Sequence, residues 1–287
     1  MNQIEHPEPF LTIRCEDMLL SPTLTGWCAG YENGAWRRRQ LSEHLIEWLP
    51  EFALRYSEWQ GLKHHNAVRM FAKAAKSIYT SKKFKARGEF GEILLHAMIR
   101  QKFNTIPAIS KYFYKDANND TVKGFDAVHV VTDGDDLELW LGEVKFYESL
   151  SDAIGEIVGE LQAHIAADYL RSEFAAITNK IDESSPFSSK LKKLLDKNTS
   201  LDEVFARTCI PLLVTYDSKV LASHTQVSQQ FDSAFRAEVL DSYKKLSAKL
   251  PGLPKELRVH VLLFPLESKK ALIKEMDEVL KSWQQHG

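Results

Sequence analysis

Cysteine is nearly absent from this sequence. Three in 287 residues, Cys15, Cys28 and Cys209, leave an odd thiol and no CxxC spacing. That excludes a fully paired disulfide framework and any Cys/His cluster with zinc spacing, and it makes a reducing, cytoplasmic setting the expectation. No apolar run approaches the ~18 residues a membrane span needs. The opening MNQIEHPEPF has no basic stretch followed by an apolar one, so no secretory signal is expected. Neither sign of charge dominates, since 37 Lys plus Arg meet 39 Asp plus Glu for a net charge of -2. A binder coated in positive charge is excluded, while a local basic patch is not. GxxxxGK[ST] does not occur, so any ATP-driven motor must be a separate protein; GxSxG and HExxH are missing too.

What is present is an ordinary folding composition, 44% hydrophobic and 26% charged, in a chain long enough to bury a core without staples. Turn signals at Ser21-Pro22 and Glu32-Asn33-Gly34 punctuate the opening, and the pattern Leu41, Leu45, Ile46, Leu49 predicts a helix broken near Pro50. Leu62 to Tyr79 predicts another helix. Between Glu58 and Glu89 no acidic residue occurs, whereas Lys63, Arg69, Lys73, Lys76, Lys82, Lys83, Lys85 and Arg87 do. Such a segment engages phosphates by counterion release, or else is a solvated face followed by a basic loop.

The rest alternates. Helix is expected over Gly88–Gln101, a short strand over Ile109–Tyr114, and a strand pair over Gly124–Thr132 and Leu137–Tyr147. One helix is expected from Asp152 to about Arg171, a polar helical region around Leu191–Leu195, and a buried strand over Cys209–Tyr216. A helix from about Gln226 to Lys249, a strand over Arg258–Leu266 and a closing helix over Lys269–Trp283 complete a mixed α/β layer architecture.

The chemistry concentrates in ELWLGEVKFYES. Alternation puts Leu137, Leu139, Leu141, Glu143, Lys145 and Tyr147 on one face and Trp140, Val144 and Phe146 on the other. Both faces read as buried, yet Glu143 and Lys145 interrupt an apolar one. Burying such ions without partners costs several kcal/mol each, roughly, so each other, a metal or an anionic ligand must justify them. In the preceding strand Asp126 shares its face with Val128 and Val130. Paired antiparallel, Asp126 comes near Glu143, and two carboxylates together call for a proton or a cation between them. Oxygen ligands alone suit Mg²⁺ or Mn²⁺, which acidifies a bound water and stabilises charge on a phosphoryl oxygen. Lys145 is placed to orient that water or neutralise developing charge. His129, on the face opposite Asp126, reads as a packed core histidine.

Gly124-Phe125-Asp126 followed by Glu143-Val144-Lys145 resembles the D…(D/E)xK signature of the PD-(D/E)xK nuclease superfamily. That resemblance implies a restriction-endonuclease-like αβββαβ core, a mixed sheet flanked by helices, here with an N-terminal α/β extension. It also implies an acidic ligand on the helix before the strands. In RGEFGEILLHAMIR this is Glu92, with Glu89 as rival one turn earlier. The metal ligands would then be Glu92, Asp126, Glu143 and the main-chain carbonyl of Val144. Over Arg87–Tyr169 the Gly-Glu helix, GFDAVHV and LGEVKFYES are similar to the HamA family, the nuclease subunits of Hachiman anti-phage defence. This similarity implies a metal-dependent DNase, with Mg²⁺ or Mn²⁺ as cofactor, DNA as substrate and a superfamily 2 helicase (HamB-like) as partner. The Gln-xxx-Tyr pair of some superfamily members is not met, since Gln162 is followed at the fourth place by Ala166 and only later by Tyr169. Residues 1–80 are expected to dock a partner and 81–287 to form the nuclease domain, with Arg69, Lys73, Lys76, Lys82, Lys83, Lys85 and Arg87 leading DNA in. A non-catalytic DNA-binding or helicase-clamping subunit and a stand-alone restriction-type enzyme are the alternatives.

Overall fold

The computed structural model describes residues 6–78, 88–110, 124–134, 136–250 and 252–285. The chain opens with β1 (Thr12–Asp17), β2 (Thr23–Cys28), a small hairpin of β3 (Tyr31–Glu32) and β4 (Ala35–Trp36), and helices α1 (Arg38–Glu47), α2 (Leu49–Ala53), α3 (Tyr56–Trp59) and α4 (Ala67–Ile78). Next come α5 (Gly88–Phe103), β5 (Ile106–Pro107), β6 (Ala127–Asp133), β7 (Asp136–Phe146), α6 (Leu150–His164) and α7 (Ala167–Thr178). The last third holds α8 (Ser188–Leu194), α9 (Leu201–Ala206), β8 (Thr208–Asp217), α10 (Lys219–Ser223), α11 (Gln229–Ser247), β9 (Arg258–Leu266) and α12 (Lys269–Gln284).

Seven strands form one mixed sheet in the order β1-β2-β9-β8-β7-β6-β5. Strands β2, β9, β8 and β7 run parallel, while β1, β6 and β5 pair antiparallel with their neighbours. The central strands β8 and β9 are apolar almost throughout because both their faces are covered, which is why they read as continuous hydrophobic runs. Helices cover the sheet, giving an α/β architecture. Among the described residues no helix is long and apolar enough to cross a membrane.

The two faces of β7 serve different cores, as its alternation requires. Leu137, Leu139 and Leu141 join Val128 and Val130 of β6 against Leu170 and Phe174 of α7 and Leu191 of α8. Trp140, Val144 and Phe146 belong to the larger core, on the side of α5. Gly91 permits that approach: a Cβ there would lie 2.6 Å from Val144 Cγ1 and 2.9 Å from Phe146 Cβ.

The break expected near Pro50 is present, since α1 ends at Glu47 and α2 begins at Leu49 with Pro50 in its first turn, where its missing N–H costs nothing. Other expectations need correction. The strand expected over Ile109–Tyr114 is instead the two-residue β5, three residues earlier; Ile109 and Ser110 lie outside it, and 111–114 lie outside the described residues. As an edge strand β5 tolerates Pro107. The single helix expected over Asp152–Arg171 is two, divided where Ala166 turns extended (φ -64, ψ 135). Ala153, Ile157 and Leu161 of α6 serve one core, and Leu170, Phe174 and Ile177 of α7 serve the other. One straight helix cannot face both.

The N-terminal strands share the common sheet. β2 lies parallel to β9, Arg14 pairs with Asp232 at 3.0 Å, and the Tyr243 hydroxyl donates to Pro22 O at 2.6 Å. A buried ion pair, Arg100 Nε to Glu51 Oε1 at 2.5 Å, ties α2 to α5.

Candidate active site

The hairpin of β6 and β7 sets the geometry. Ala127 pairs with Gly142, and Asp126 N donates to Gly142 O at 2.8 Å, so Asp126 stands across from Glu143. The Asp126 carboxylate is held in place, since its Oδ2 accepts from Val144 N at 2.9 Å. Glu143 and Lys145 are 3% and 6% exposed, beyond the end of the apolar stripe formed by Leu137, Leu139 and Leu141. Lys145 Nζ donates to Glu143 Oε1 at 3.1 Å and also to Glu160 Oε2.

Helix α6 meets this stripe in register. Glu156, Glu160 and His164 recur every four residues, a helical step of roughly 6 Å; Tyr147, Lys145 and Glu143 recur every two, a strand step of roughly 6.6 Å. The near match produces three consecutive pairs. The Tyr147 hydroxyl donates to Glu156 Oε2, Lys145 pairs with Glu160, and His164 Nδ1 stands 3.2 Å from Glu143 Oε2. That last contact joins two buried atoms, so Glu143 Oε2 is engaged by His164 while Oε1 is engaged by Lys145.

Burial pushes the Glu143 carboxyl up; His164 draws it down, while Asp126 pushes it up further. For Lys145 burial works against the charge, but the carboxylates of Glu143 and Glu160 outweigh it and the ammonium is raised. Glu160 is lowered: burial opposes its charge, and hydrogen bonds from Glu143 and Lys145 overcome that. A raised and a lowered carboxyl side by side are what two acids sharing one proton display. Burial, followed by Glu173, Glu143, Asp126 and Glu160, pushes the Tyr169 phenol up to about 12. Carboxylates therefore dominate the surroundings of the Tyr169 phenol.

Of the residues the sequence singled out, Asp126, Glu143 and Lys145 are brought together. Val144 gives its amide to Asp126 and turns its side chain to the opposite face. Glu92 and Glu89 are half-buried on α5, the helix that meets β7 where Gly91 packs against Val144 and Phe146. Among the described residues no three His, Cys, Asp or Glu side chains form a ready metal cluster. Arg69, Lys73 and Lys76 are exposed on α4, with Lys73 paired to Glu58; Lys82, Lys83, Lys85 and Arg87 lie outside the described residues. His129 is a core histidine, bonded to His96 at 3.2 Å and Thr105 at 2.8 Å.

Glu160, His164, Tyr169 and Glu173 went unremarked as site residues in the sequence. His164 stacks on Tyr169 with centroids 4.7 Å apart and meets Phe125 edge-on at 5.0 Å. Glu173 is buried against Gly124, where any Cβ would fall 2.2 Å from its Oε1. The stripe Glu156, Glu160, His164 was the signal available, and its meaning depends on the register with β7.

A divalent cation fits the donor set. Glu143 is buried, Asp126 stands opposite it on the neighbouring strand, and Glu160 adds a further carboxylate within reach of Lys145. Mg²⁺ in particular is commonly bound by one or two carboxylates while keeping several waters, so a complete protein cage is not required. A protein-family model described as HamA matches residues 6–280, nearly the whole chain, and no curated protein matches it.

Proposed function

The chain belongs to the HamA family, and thereby to Hachiman anti-phage defence; from that premise we propose that it is a Mg²⁺- or Mn²⁺-dependent DNA nuclease of the PD-(D/E)xK type. A superfamily 2 helicase (HamB-like) is its proposed partner, since the chain itself carries no P-loop signature. The observation that carries the reading is the buried Glu143–Lys145 pair across the hairpin from Asp126. Supporting it, α5, β5, β6, β7 and α6 follow one another, β8 comes after the inserted helices α7, α8 and α9, and the sheet order β5-β6-β7-β8 is compatible with an αβββαβ core.

In this reading Asp126 and Glu143 hold the cation, with the Val144 carbonyl and Glu92 as further ligands. When bound, the cation supplies Lewis-acid stabilisation of phosphoryl charge. Asp126 is oriented by the Val144 amide, so its carboxylate needs no reorganisation to bind. Lys145, kept protonated by Glu143 and Glu160, neutralises negative charge developing on the scissile phosphate. Exposed cations on α4 and the basic segment up to Arg87 draw in the backbone. Residues 1–80 are proposed to dock the partner and 81–287 to carry the nuclease chemistry.

Plasmid incubated with the purified chain and Mg²⁺ tests this. Cleavage should stop with EDTA and return with Mg²⁺ or Mn²⁺, and Glu143→Ala with Lys145→Ala should lower it by about 100-fold or more with the fold unchanged by circular dichroism. Undiminished nicking by that variant refutes the site. The rival, a non-catalytic DNA-binding or helicase-clamping subunit, draws on the lack of a ready three-ligand cluster among the described residues. It expects no cleavage under any metal.

A further inference from the structure

Lys145 stands between two carboxylates that differ in their surroundings. Glu143 is 3% exposed, whereas the Glu160 side chain is 44% exposed and reaches the same ammonium from α6. With Glu143 Oε1 given to Lys145 and Oε2 beside His164, the carboxylate already has a cation on one side. A divalent ion arriving at Glu143 would repel that ammonium across a few ångströms of poorly screened interior. Lys145 then needs a second anion within reach, or it must compete with the incoming ion. Glu160 is that anion, and it pairs with Lys145 already.

We infer that Glu160 is a positioning residue that takes over the Lys145 ammonium when a divalent cation occupies Glu143. The inference rests on the metal reading above and adds to it a regulation of the same site: occupancy of Glu143 is an exchange between Lys145 and the metal, with Glu160 as the acceptor of the displaced lysine. Glu160 needs no contact with metal or DNA to act in this way. Its partial exposure allows it to hold a charge at low cost, and its place one helical turn before His164 keeps it over the Lys145 position of β7. Removing it leaves Lys145 with Glu143 as its carboxylate partner among the described residues, and so makes the lysine a competitor of the metal.

A double-mutant cycle on Mn²⁺ affinity tests the inference, read by electron paramagnetic resonance on the full chain with Glu143→Gln as blank. Glu160→Gln should weaken Mn²⁺ binding about tenfold, whereas Glu160→Asp, which keeps the charge, should stay within about threefold of wild type. Lys145→Met should bind at least as tightly as wild type. Adding Lys145→Met to Glu160→Gln should restore wild-type affinity, because the competitor is gone. Wild-type affinity in Glu160→Gln overturns the inference. So does a double variant as weak as Glu160→Gln, which would make Glu160 a ligand or a brace of the fold. Wild-type protein with no Mn²⁺ binding beyond the Glu143→Gln blank instead takes down the metal reading, and the inference with it.

Discussion

At Glu143 burial favours the neutral acid, while Lys145 and His164 favour the carboxylate. That contest was legible in the sequence, because alternation along β7 fixes which residues share an apolar face and shows two charges where leucines belong. Asp126 was legible for the same reason. Glu160 and His164 were not, since their role arises from a register between a helix and a strand that no local pattern states. The buried histidines make a separate point at this scale. Burial above all holds His44 and His260 down to about 4 and His129 to about 3, below the 6.5 of an exposed imidazole. The folded state therefore keeps them neutral while the unfolded chain protonates first. Their contribution to stability is complete above pH 6.5 and is lost as pH falls toward 4, by about 1.4 kcal/mol per pH unit for each. In ¹H–¹³C spectra of the native protein their Cε1 signals should stay unchanged from pH 8 to 5; titration near 6.5 would contradict the burial.

Between elements, the contact of α5 with β7 decides where the site can form. Gly91 and Gly142 let the two approach, and their neighbours leave no slack: a Cβ on Gly142 would meet Leu95 Cδ2 at 2.6 Å. Gly91→Ala should push α5 away from Val144 and Phe146 and cost about 1–3 kcal/mol by overpacking. Urea unfolding checks this; an unchanged midpoint would mean that helix and strand are not in contact there. Element positions were read well wherever apolar period and length agreed, as in β7, β8, β9 and α12. They failed where tertiary demand overrode local pattern. Two cores split α6 from α7 without a proline or glycine at the break, and the edge strand β5 is too short to show any alternation.

Across the whole molecule, residues before and after position 80 contribute to one sheet, with β2 beside β9 and α2 tied to α5 through Glu51 and Arg100. The proposed division between docking and catalysis is thus one of roles upon a shared core. Under the proposed reading, such an arrangement gives a partner docked on the N-terminal region a physical route to the site, because Arg100 and the proposed ligand Glu92 ride on the same helix. The place of β2 beside β9 was not foreseen, since parallel pairing between distant segments leaves no local trace.

The proposed chemistry requires a divalent cation held between Asp126 and Glu143. Crystals soaked in Mn²⁺ and measured near the manganese absorption edge should show an anomalous peak within bonding distance of both carboxylates. An empty map at that position, with manganese bound elsewhere or nowhere, would contradict it.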